Sequence, residues 1–450
     1  MKKLATLLLV VLMVISVVAC ANNGTTTTTN ATSTTTNSTS GTQATTATSE
    51  GTTGTTASKG TIKIGFLGAL SGNAAVMGQD AKNALELFCE MNNYNFAGYD
   101  IELYIEDDED NAATAVTKCT KLVENYGVDI IVGPQNAGSA LGIADYLIAN
   151  KVPLIMYHAP VDSLTKQKAN DYMVRVQLSA SQGSQAMGDY AYKTLNLKTA
   201  ACISYDFTFG YQLVGGFQKV FEENGGKVVS RQFAPIGSAD FAPLLANIDF
   251  DAIDTLVYHF SGGDGSRFCQ ALVDAGITDR KGLTIVCLQN GVDELYIKDL
   301  PQTLTNVPFY SVAQWAMDCD NETNKAFIDL YHQANGVNHN PSCHAENTFA
   351  AMTCLKLALE KGADPQDGAA LVSAIRGLTN IKVPRGLIYS FDSYGQAVTD
   401  VCIRKLTVKD GALWNSLEYV YPKVSQFWTY DANEYLSWPA YSVDYPPVTK

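Results

Sequence analysis

The chain has 450 residues and a formal net charge of −14, from 45 acidic and 31 basic side chains. Such an acidic chain does not favour nucleic acid or an anionic membrane surface as a partner. Its five histidines and ten cysteines lack the paired spacing of a zinc site. We therefore predict that it holds no metal and no cofactor.

The N-terminal region has the composition of a targeting segment followed by a tether. Residues 1–19 join two lysines to an apolar run, which is typical of a secretory signal peptide. The tetrapeptide Val-Val-Ala-Cys ending at Cys20 resembles a bacterial lipobox, so Cys20 would carry a lipid; the alternative is an ordinary cysteine beside an unusual cleavage site. Residues 20–59 are rich in Thr, Ser and Asn and predict a disordered tether. We expect a secreted protein, lipid-anchored at the outer face of the cytoplasmic membrane or in the periplasm.

From residue 61 onward, strand and helix patterns alternate. The run 61–67 is apolar and β-branched and ends in a turn of small residues, after which positions 84, 87, 88 and 91 share one helical face. Further strands are predicted at 101–105, 128–132 and 152–157, with helices at 112–123 and 139–150. After Ser179 the pattern restarts, with strands at 200–204, 227–233, 255–260 and 283–288 and helices at 185–195, 241–248 and 266–275, besides one ending near 223. This alternation predicts an α/β fold of two doubly wound parallel-sheet lobes.

Spaced motifs narrow this prediction to one family. The opening turn reads G-x-L-S-G-x-x-A-x-x-G from Gly68 to Gly78, and the loop 206–210 reads D-x-x-[YF]-G. With Arg175, Gln182-Gly183 and the segment 386–395, which is one residue longer than the family pattern, these motifs resemble the type I periplasmic binding proteins of the branched-chain amino acid importer class. The resemblance covers about residues 60 to 440. It implies two lobes joined by three hinge crossings.

The resemblance also implies limits for the two lobes. Crossings are expected near Ser179, Phe309 and Tyr389. Lobe one would then comprise 61–178 with 310–388, and lobe two 179–309 with 389–420. The remaining segment, 421–450, is an aromatic C-terminal extension that either seals one lobe or offers a surface to a partner.

The resemblance implies a binding protein rather than an enzyme. Such a lipoprotein captures a small organic ligand between its lobes and, as a monomer, delivers it to the permease subunits of an ABC importer. A ligand sensor for a signalling partner and a cell-surface hydrolase are the alternatives. A hydrolase needs a nucleophile beside a base, and the sequence contains no G-x-S-x-G elbow, S-x-x-K set or P-loop.

Loops that follow strand ends should line the cleft between the lobes. His158 and His259 stand in two such loops; each could donate to a ligand oxygen or make only a local hydrogen bond. The predicted ligand-binding residues are Ser71, Met77, Asn136, Ala137, Tyr157, His158, Ala159, Pro160, Phe207, Phe209, His259, Ser261 and Asn290.

Three of these residues depart from the amino acid-binding members of the family. Where the family pattern implies two hydroxyls for the ligand carboxylate and a Glu for its ammonium, this chain has Ala137, Pro160 and Asn290. An unpaired buried ammonium is costly, so we expect an apolar or aromatic carboxylate, held by backbone amides, instead of a standard amino acid. The alternatives are a replacement hydroxyl or an acid that turns into the cleft, from Ser139, Asp206 or Asp264.

An acidic run and several cysteines are expected to have no role in ligand binding. The acidic run 106–110 lacks the Gly and terminal Glu of a calcium-binding loop, so we expect a solvated acidic loop. Cys319 and Cys343 lie in polar segments and could pair. The other cysteines considered, Cys202, Cys287 and Cys402, lie in apolar strands and should be core residues.

Overall fold

The computed structural model describes residues 58–72 and 74–448. The predicted signal peptide, the lipidation site Cys20 and the tether up to residue 57 therefore lie outside the described residues. Within that described part, no helix has both the length and the apolarity needed to cross a membrane.

The described residues form strands and helices in alternation, as the sequence predicted. The strands are β1 (Thr61–Gly68), β2 (Asn95–Phe96), β3 (Tyr99–Asp107), β4 (Ile130–Val132), β5 (Leu154–Met156), β6 (Met173–Arg175), β7 (Thr199–Tyr205), β8 (Lys227–Ala234), β9 (Thr255–Tyr258), β10 (Thr284–Cys287), β11 (Phe309–Ala313), β12 (Ile381–Val383), β13 (Gly386–Phe391), β14 (Ala397–Lys409) and β15 (Ala412–Val424). The α-helices are α1 (Ala75–Met91), α2 (Ala112–Thr120), α3 (Ala137–Asn150), α4 (Ala180–Lys193), α5 (Thr208–Glu223), α6 (Ala242–Ala246), α7 (Gly262–Asp274), α8 (Glu322–Asn335), α9 (Cys343–Glu360), α10 (Gly368–Arg376) and α11 (Ala432–Ser437). A π-helical turn, Lys121–Asn125, continues α2, and short 3₁₀ turns occupy Asp162–Thr165, Ile277–Asp279, Gln289–Gly291, Ile297–Asp299 and Gln302–Asn306.

The first lobe is built on a six-stranded sheet in the order β2-β3-β1-β4-β5-β6. Its strands are parallel except β2, which pairs antiparallel with β3 at the edge. Side chains of β1 and α1 pack in one buried cluster together with α9. On α1 the predicted apolar face is buried at 84, 87 and 88, but Met91 is 45 % exposed because the helix ends there.

The second lobe is built on a nine-stranded sheet, which is mixed and not wholly parallel. The order is β12-β13-β14-β11-β10-β9-β7-β8, and β15 pairs with β14. Strands β7 to β11 are parallel, whereas β12 to β15 are antiparallel. Short turns join successive strands from β12 to β15, and such turns can only connect antiparallel neighbours. The predicted α/β fold of two lobes is confirmed.

The two sheets divide the chain differently from the limits expected above. The chain leaves the first sheet after β6, returns to first-lobe helices after β11, and re-enters the second sheet at β12. The segment 310–388, expected in lobe one, therefore contributes nearly all of β11, all of β12 and half of β13 to the second sheet. The reason is antiparallel pairing: β11 pairs with residues 402–405 of β14, and β12 pairs with β13.

The aromatic C-terminal extension begins within β15, which runs to Val424. Beyond it, Phe427, Tyr435 and Tyr441 form a small buried cluster of their own. The ring of Tyr441 lies against Gly215 of α5, and the hydroxyl of Tyr435 accepts a hydrogen bond from Lys166 at 3.0 Å. The extension thus packs on the second lobe and also contacts Lys166, which follows the 3₁₀ turn 162–165.

The cysteines are unpaired and buried within the described residues. The predicted core positions Cys202, Cys287 and Cys402 are confirmed. Pairing of Cys319 with Cys343 is wrong, because Cys319 lies beside a different cysteine: its Sγ is 3.8 Å from Sγ of Cys402.

Candidate ligand cleft

A cleft opens between the two lobes, with an empty volume of about 770 Å³ that includes its solvent-open mouth. The first lobe contributes Ala74, Met77, Asp110, Gln135, Asn136, Ala137, His158, Pro160 and His344. The second lobe contributes Tyr205, Phe207, Phe209, Ile236, His259, Ser261, Gln289 and Asn290. Except for His344, these residues lie in loops near the carboxyl ends of parallel strands or in the first turns of the helices that follow them, where open α/β sheets bind ligands.

Two glycines bring helix starts close to the strand-end loops, one in each lobe. A Cβ at Gly78 would lie 1.9 Å from the carbonyl oxygen of Ala69, and one at Gly210 would lie 2.1 Å from that of Tyr205. Neither position can hold a larger residue without moving backbone. The glycines of the two sequence motifs are therefore what allow α1 and α5 to begin at the cleft.

The acidic run beside the first loop is structural, so the prediction of a solvated loop is wrong. Glu106 and Asp108 are 5 % and 0 % exposed. Glu106 pairs with two lysines of α2 and its π-helical extension, and the carboxylate of Asp107 accepts the N–H of Leu70 at 2.8 Å. The run thus holds the turn 68–72 in place, and no cluster of three or more potential metal ligands occurs among residues 58–72 and 74–448.

Five helices begin at the cleft. Residues at their N-termini line it: the N-caps Ala74 of α1, Asn136 of α3, Phe207 of α5 and Ser261 of α7, and His344, the second residue of α9. Asn136 and Ser342 cap α3 and α9 with their side chains. The N-caps of α1, α5 and α7 make no side-chain cap, which leaves first-turn N–H groups of these helices without one. Each helix N-terminus carries roughly half a positive charge. The backbone therefore makes the cleft favourable for an anion.

Lysine and arginine are absent from the lining within the described residues. The buried arginines are engaged elsewhere: Arg385 pairs with Glu346, and Arg404 pairs with Glu294. One acid, Asp110, reaches the cleft. Its carboxylate accepts a hydrogen bond from the Asn136 amide at 2.8 Å, and burial raises its pKa, so its ionised form is disfavoured.

Three histidines face the cleft, and burial keeps them neutral. Nδ1 of His158 lies 3.0 Å from the carbonyl oxygen of Gln135, and Nδ1 of His259 lies 2.6 Å from that of Leu288. Burial lowers the pKa of both rings to about 4. The pKa of His344 is lowered by burial and by the ring of His158, 4.4 Å away. A carbonyl only accepts, so in His158 and His259 Nδ1 carries the proton and Nε2 is an acceptor. The expectation that these rings donate to a ligand oxygen does not fit this geometry.

Several buried polar atoms of the cleft have no partner among the described residues. They are both amide atoms of Asn290, Oε1 of Gln135, Nε2 of His259 and Nδ1 of His344. An unpaired buried polar group costs about 1–3 kcal/mol. A ligand that meets these atoms gains that free energy.

Most of the predicted ligand-binding residues line the cleft, and three do not. Ser71 lies outside it on an exposed turn. Tyr157 is fully buried, with its ring stacked on Phe66 at 5.6 Å. Ala159 is fully buried, and its carbonyl accepts a hydrogen bond from Arg175 at 2.9 Å. The Tyr157 ring and the Ala159 carbonyl are thus both used for contacts within the first lobe.

The three alternative polar groups do not line the cleft either. Ser139 is fully buried within α3. Asp206 accepts a hydrogen bond from the hydroxyl of Tyr211. Asp264 pairs with Arg267 and accepts the N–H of Gly237 at 2.9 Å.

A family model for periplasmic binding proteins matches residues 61–412. The chain belongs to the periplasmic binding protein family. The resemblance to its type I members of the branched-chain amino acid importer class is confirmed. The relatives are solute-binding proteins rather than enzymes, and periplasmic binding proteins of ABC importers work outside the cytoplasm.

Relatives of this periplasmic binding protein cover nearly the whole folded region. Leu/Ile/Val-binding protein homolog 6 of Brucella abortus (strain 2308) is 23 % identical over 359 residues, covering 79 % of this chain and 90 % of that protein. The solute-binding protein of an ABC transporter from Rhodopseudomonas palustris BisB5, in complex with 3,4-dihydroxybenzoic acid, has a TM-score of 0.75 at 24 % identity and covers 81 % of this chain and 98 % of that one. LivJ of Streptococcus pneumoniae, in complex with isoleucine, has a TM-score of 0.67 at 21 % identity and covers 80 % and 99 %. The two structures share the fold.

Sequence reasoning missed several lining residues of this periplasmic binding protein. Asp110 was grouped with its acidic run, although it is the residue of that run nearest the helix cap Asn136. His344 comes from α9, far along the chain from the other first-lobe residues. The sequence did indicate that His344 lies in the first turn of a helix. Ser342 is a helix-capping residue type and stands ahead of an apolar run.

Proposed function

We propose that this periplasmic binding protein is the ligand-capturing component of an ABC importer and that its ligand is a small carboxylate with an aromatic body. The lobes close around the acid, and the closed form is presented to the permease subunits. The protein is anchored through Cys20 and acts as a binding protein, not as an enzyme.

The observation that carries the proposal is the source of charge in the cleft. Five helix N-termini surround the space, and the described residues that line it include no lysine or arginine. Backbone N–H groups bind carboxylates well without a basic side chain. The second lobe adds aromatic walls. The ring centroids of Phe207 and Phe209 are 6.1 Å apart, and those of Tyr205 and Phe207 are 5.5 Å apart. Anion-favouring backbone and aromatic walls together suit an aryl carboxylate.

Asp110 supports a second candidate, an amino acid whose ammonium pairs with this carboxylate. Two features weigh against it. Burial raises the pKa of Asp110, and the surrounding helix N-termini oppose a positive ligand group. Asn290, where the amino acid-binding pattern has a carboxylate, is neutral.

Calorimetry on protein that has been unfolded, freed of ligand and refolded tests the two candidates. Leucine, isoleucine, valine and phenylalanine would be titrated beside benzoate and other aryl acids. We expect micromolar binding of at least one aryl acid and none of the amino acids. Tight binding of leucine or valine would overturn the proposal.

Asp110→Asn sharpens the comparison, because it removes one negative charge from the cleft. We expect the variant to bind an aryl acid as well as, or better than, the wild type, whereas an amino acid paired with Asp110 would lose at least tenfold. Asp171→Asn is the matched control, since Asp171 is 89 % exposed and lies outside the cleft.

A further inference from the structure

His259 presents a hydrogen-bond acceptor to the ligand from the second lobe. It follows β9, is 2 % exposed and lines the cleft. Its Nδ1 is 2.6 Å from the carbonyl oxygen of Leu288, and a carbonyl oxygen only accepts. The proton of a neutral ring therefore lies on Nδ1, and Nε2 carries a lone pair. No described residue donates to Nε2, although it is buried.

The surroundings of His259 favour its neutral form. Burial lowers the pKa of the ring to about 4. His158 faces it from the first lobe and is itself neutral because burial also lowers its pKa. The N-termini of α5 and α7, which begin beside it, further disfavour a positive ring. A carboxylate only accepts hydrogen bonds, so it could bind Nε2 only if that atom carried a proton. The effects just described disfavour this protonated form of His259.

The aromatic walls bring a planar ligand close to this acceptor. The ring of Phe209 stands edge-on to His259 with centroids 5.1 Å apart, and the ring of Tyr205 does so at 5.9 Å. Asn290, with both amide atoms unpaired, lies in the loop after the neighbouring strand β10. The second lobe thus joins aromatic surface to an acceptor and an amide that need polar partners.

We propose that His259 Nε2 accepts a hydrogen bond from a hydroxyl on the body of the ligand, which makes the ligand a hydroxylated aryl acid. This inference rests on the proposed carboxylate function and specifies the other end of the same molecule. An acid without that hydroxyl would bury Nε2 unpaired, at a cost of about tenfold or more in affinity. A site built to bind a hydroxyl rejects the analogue that lacks it more strongly than an apolar pocket rejects an added hydroxyl.

A ligand series on the wild-type full chain tests the proposal without relying on any variant. Benzoate, 3- and 4-hydroxybenzoate and their methoxy counterparts would be titrated by calorimetry at pH 7.5, in two buffers of different ionisation enthalpy. We expect one hydroxy acid to bind about 10- to 100-fold more tightly than both benzoate and its own methoxy ether, without proton uptake. A methoxy group has similar size but no donor, so this comparison isolates the hydrogen bond.

Two variants locate the effect. His259→Phe keeps a planar ring and removes the acceptor, so the advantage of the hydroxyl should disappear. Ile236→Ala, the matched control, also lines the cleft and should weaken all the acids alike while keeping their order.

The outcomes separate this inference from the proposed function. Equal binding of benzoate and the hydroxy acids overturns the hydroxyl contact and leaves the carboxylate function standing. Binding of benzoate with uptake of one proton, abolished in His259→Phe, also overturns it, because His259 would then hold the carboxylate. Failure of every aryl acid to bind overturns both.

Discussion

The guanidinium of Arg175 donates from Nε to the amide oxygen of Gln396 at 2.7 Å. The two residues belong to different lobes: Arg175 ends β6, and Gln396 precedes β14. Arg175 also donates to the carbonyls of Ala159 and Val161, while the Gln396 amide donates to the carbonyl of Gln177. The segments that join the lobes are therefore tied together by one fully buried side chain.

Replacing Arg175 with lysine should destabilise the protein. Lysine is a point charge and cannot reproduce the forked set of bonds, and each lost hydrogen bond to a charged group is worth about 1.5–3 kcal/mol. We expect a loss of about 3 kcal/mol in the free energy of unfolding, measured by urea denaturation. Arg280→Lys, at an exposed pair with Asp251, should change it by less than about 1 kcal/mol. Equal effects of the two substitutions would contradict the role given to Arg175.

The C-terminal extension should contribute stability through one hydroxyl. Tyr435 Oη accepts from Lys166 at 3.0 Å, and Lys166 pairs with Asp162 at 2.8 Å in a buried setting. Tyr435→Phe leaves the ring and removes this acceptor, so we expect a loss of about 1–2 kcal/mol in unfolding free energy. In Tyr445→Phe, on the same segment, we expect no measurable loss. An unchanged midpoint for Tyr435→Phe would show that Asp162 and Ser181 together satisfy Lys166.

The stability of the protein should fall in mild acid because of His259. Its folded pKa is about 4, below the ordinary 6.5. Between these values the unfolded chain binds a proton that the folded protein does not, so stability decreases as pH falls from 6.5 to 4. We expect the wild type to lose up to about 3 kcal/mol relative to His259→Phe over this window, measured by denaturant titration at each pH.

The variant is needed as a reference because other buried groups also titrate, and several buried acids act in the opposite sense. Burial raises the pKa of Asp108 to about 6 and that of Asp293 to about 7. These carboxyls keep their protons in the folded protein, so they make it relatively more stable as pH falls. A constant difference between wild type and His259→Phe across the window would rule out a buried neutral His259.

Oxidation should join Cys319 to Cys402 and leave the other described thiols free. Their Sγ atoms are 3.8 Å apart, and the hydrogen bond from Cys402 lowers the pKa of the Cys319 thiol. Diamide should therefore remove two thiols, counted by alkylation and mass spectrometry. Cys319→Ser should block the reaction and Cys343→Ser should not. A disulfide that includes Cys343 would contradict the packing.

Cys20→Ala should release the protein from membranes. Cys20 follows a signal-like apolar run that ends in small residues, and the proposed anchor is a lipid on its thiol. Fractionation of cells expressing wild type and variant would measure the membrane-bound share. A variant that stays bound with a normally processed N-terminus would refute the lipid anchor.

Much of the cleft that is made of loops directly following strands was predictable, although Asp110 and Ile236 in such loops were missed. Asn136, Phe207 and His259 were found this way, because parallel strand ends meet at one edge of a sheet. Tyr157 was misjudged because the residue after a strand can still turn inward, and its ring stacks on Phe66. His344 could not be assigned because its helix reaches the cleft only through long-range packing. The mixed second sheet was missed in part because β12 and half of β13 come from a segment assigned to the other lobe.

The positive end of the cleft is made of main chain, so no single side-chain substitution can remove it. Substitutions at Phe207, Phe209 or Ile236 would reshape the space for the body of the ligand while the five helix N-termini stay where the two sheets put them. Under the proposed function, selection can therefore change which acid is recognised without losing recognition of acids. The main chain of the cleft thus sets the preference for an anion, whereas its side chains set the preference for a particular ligand body and can vary independently.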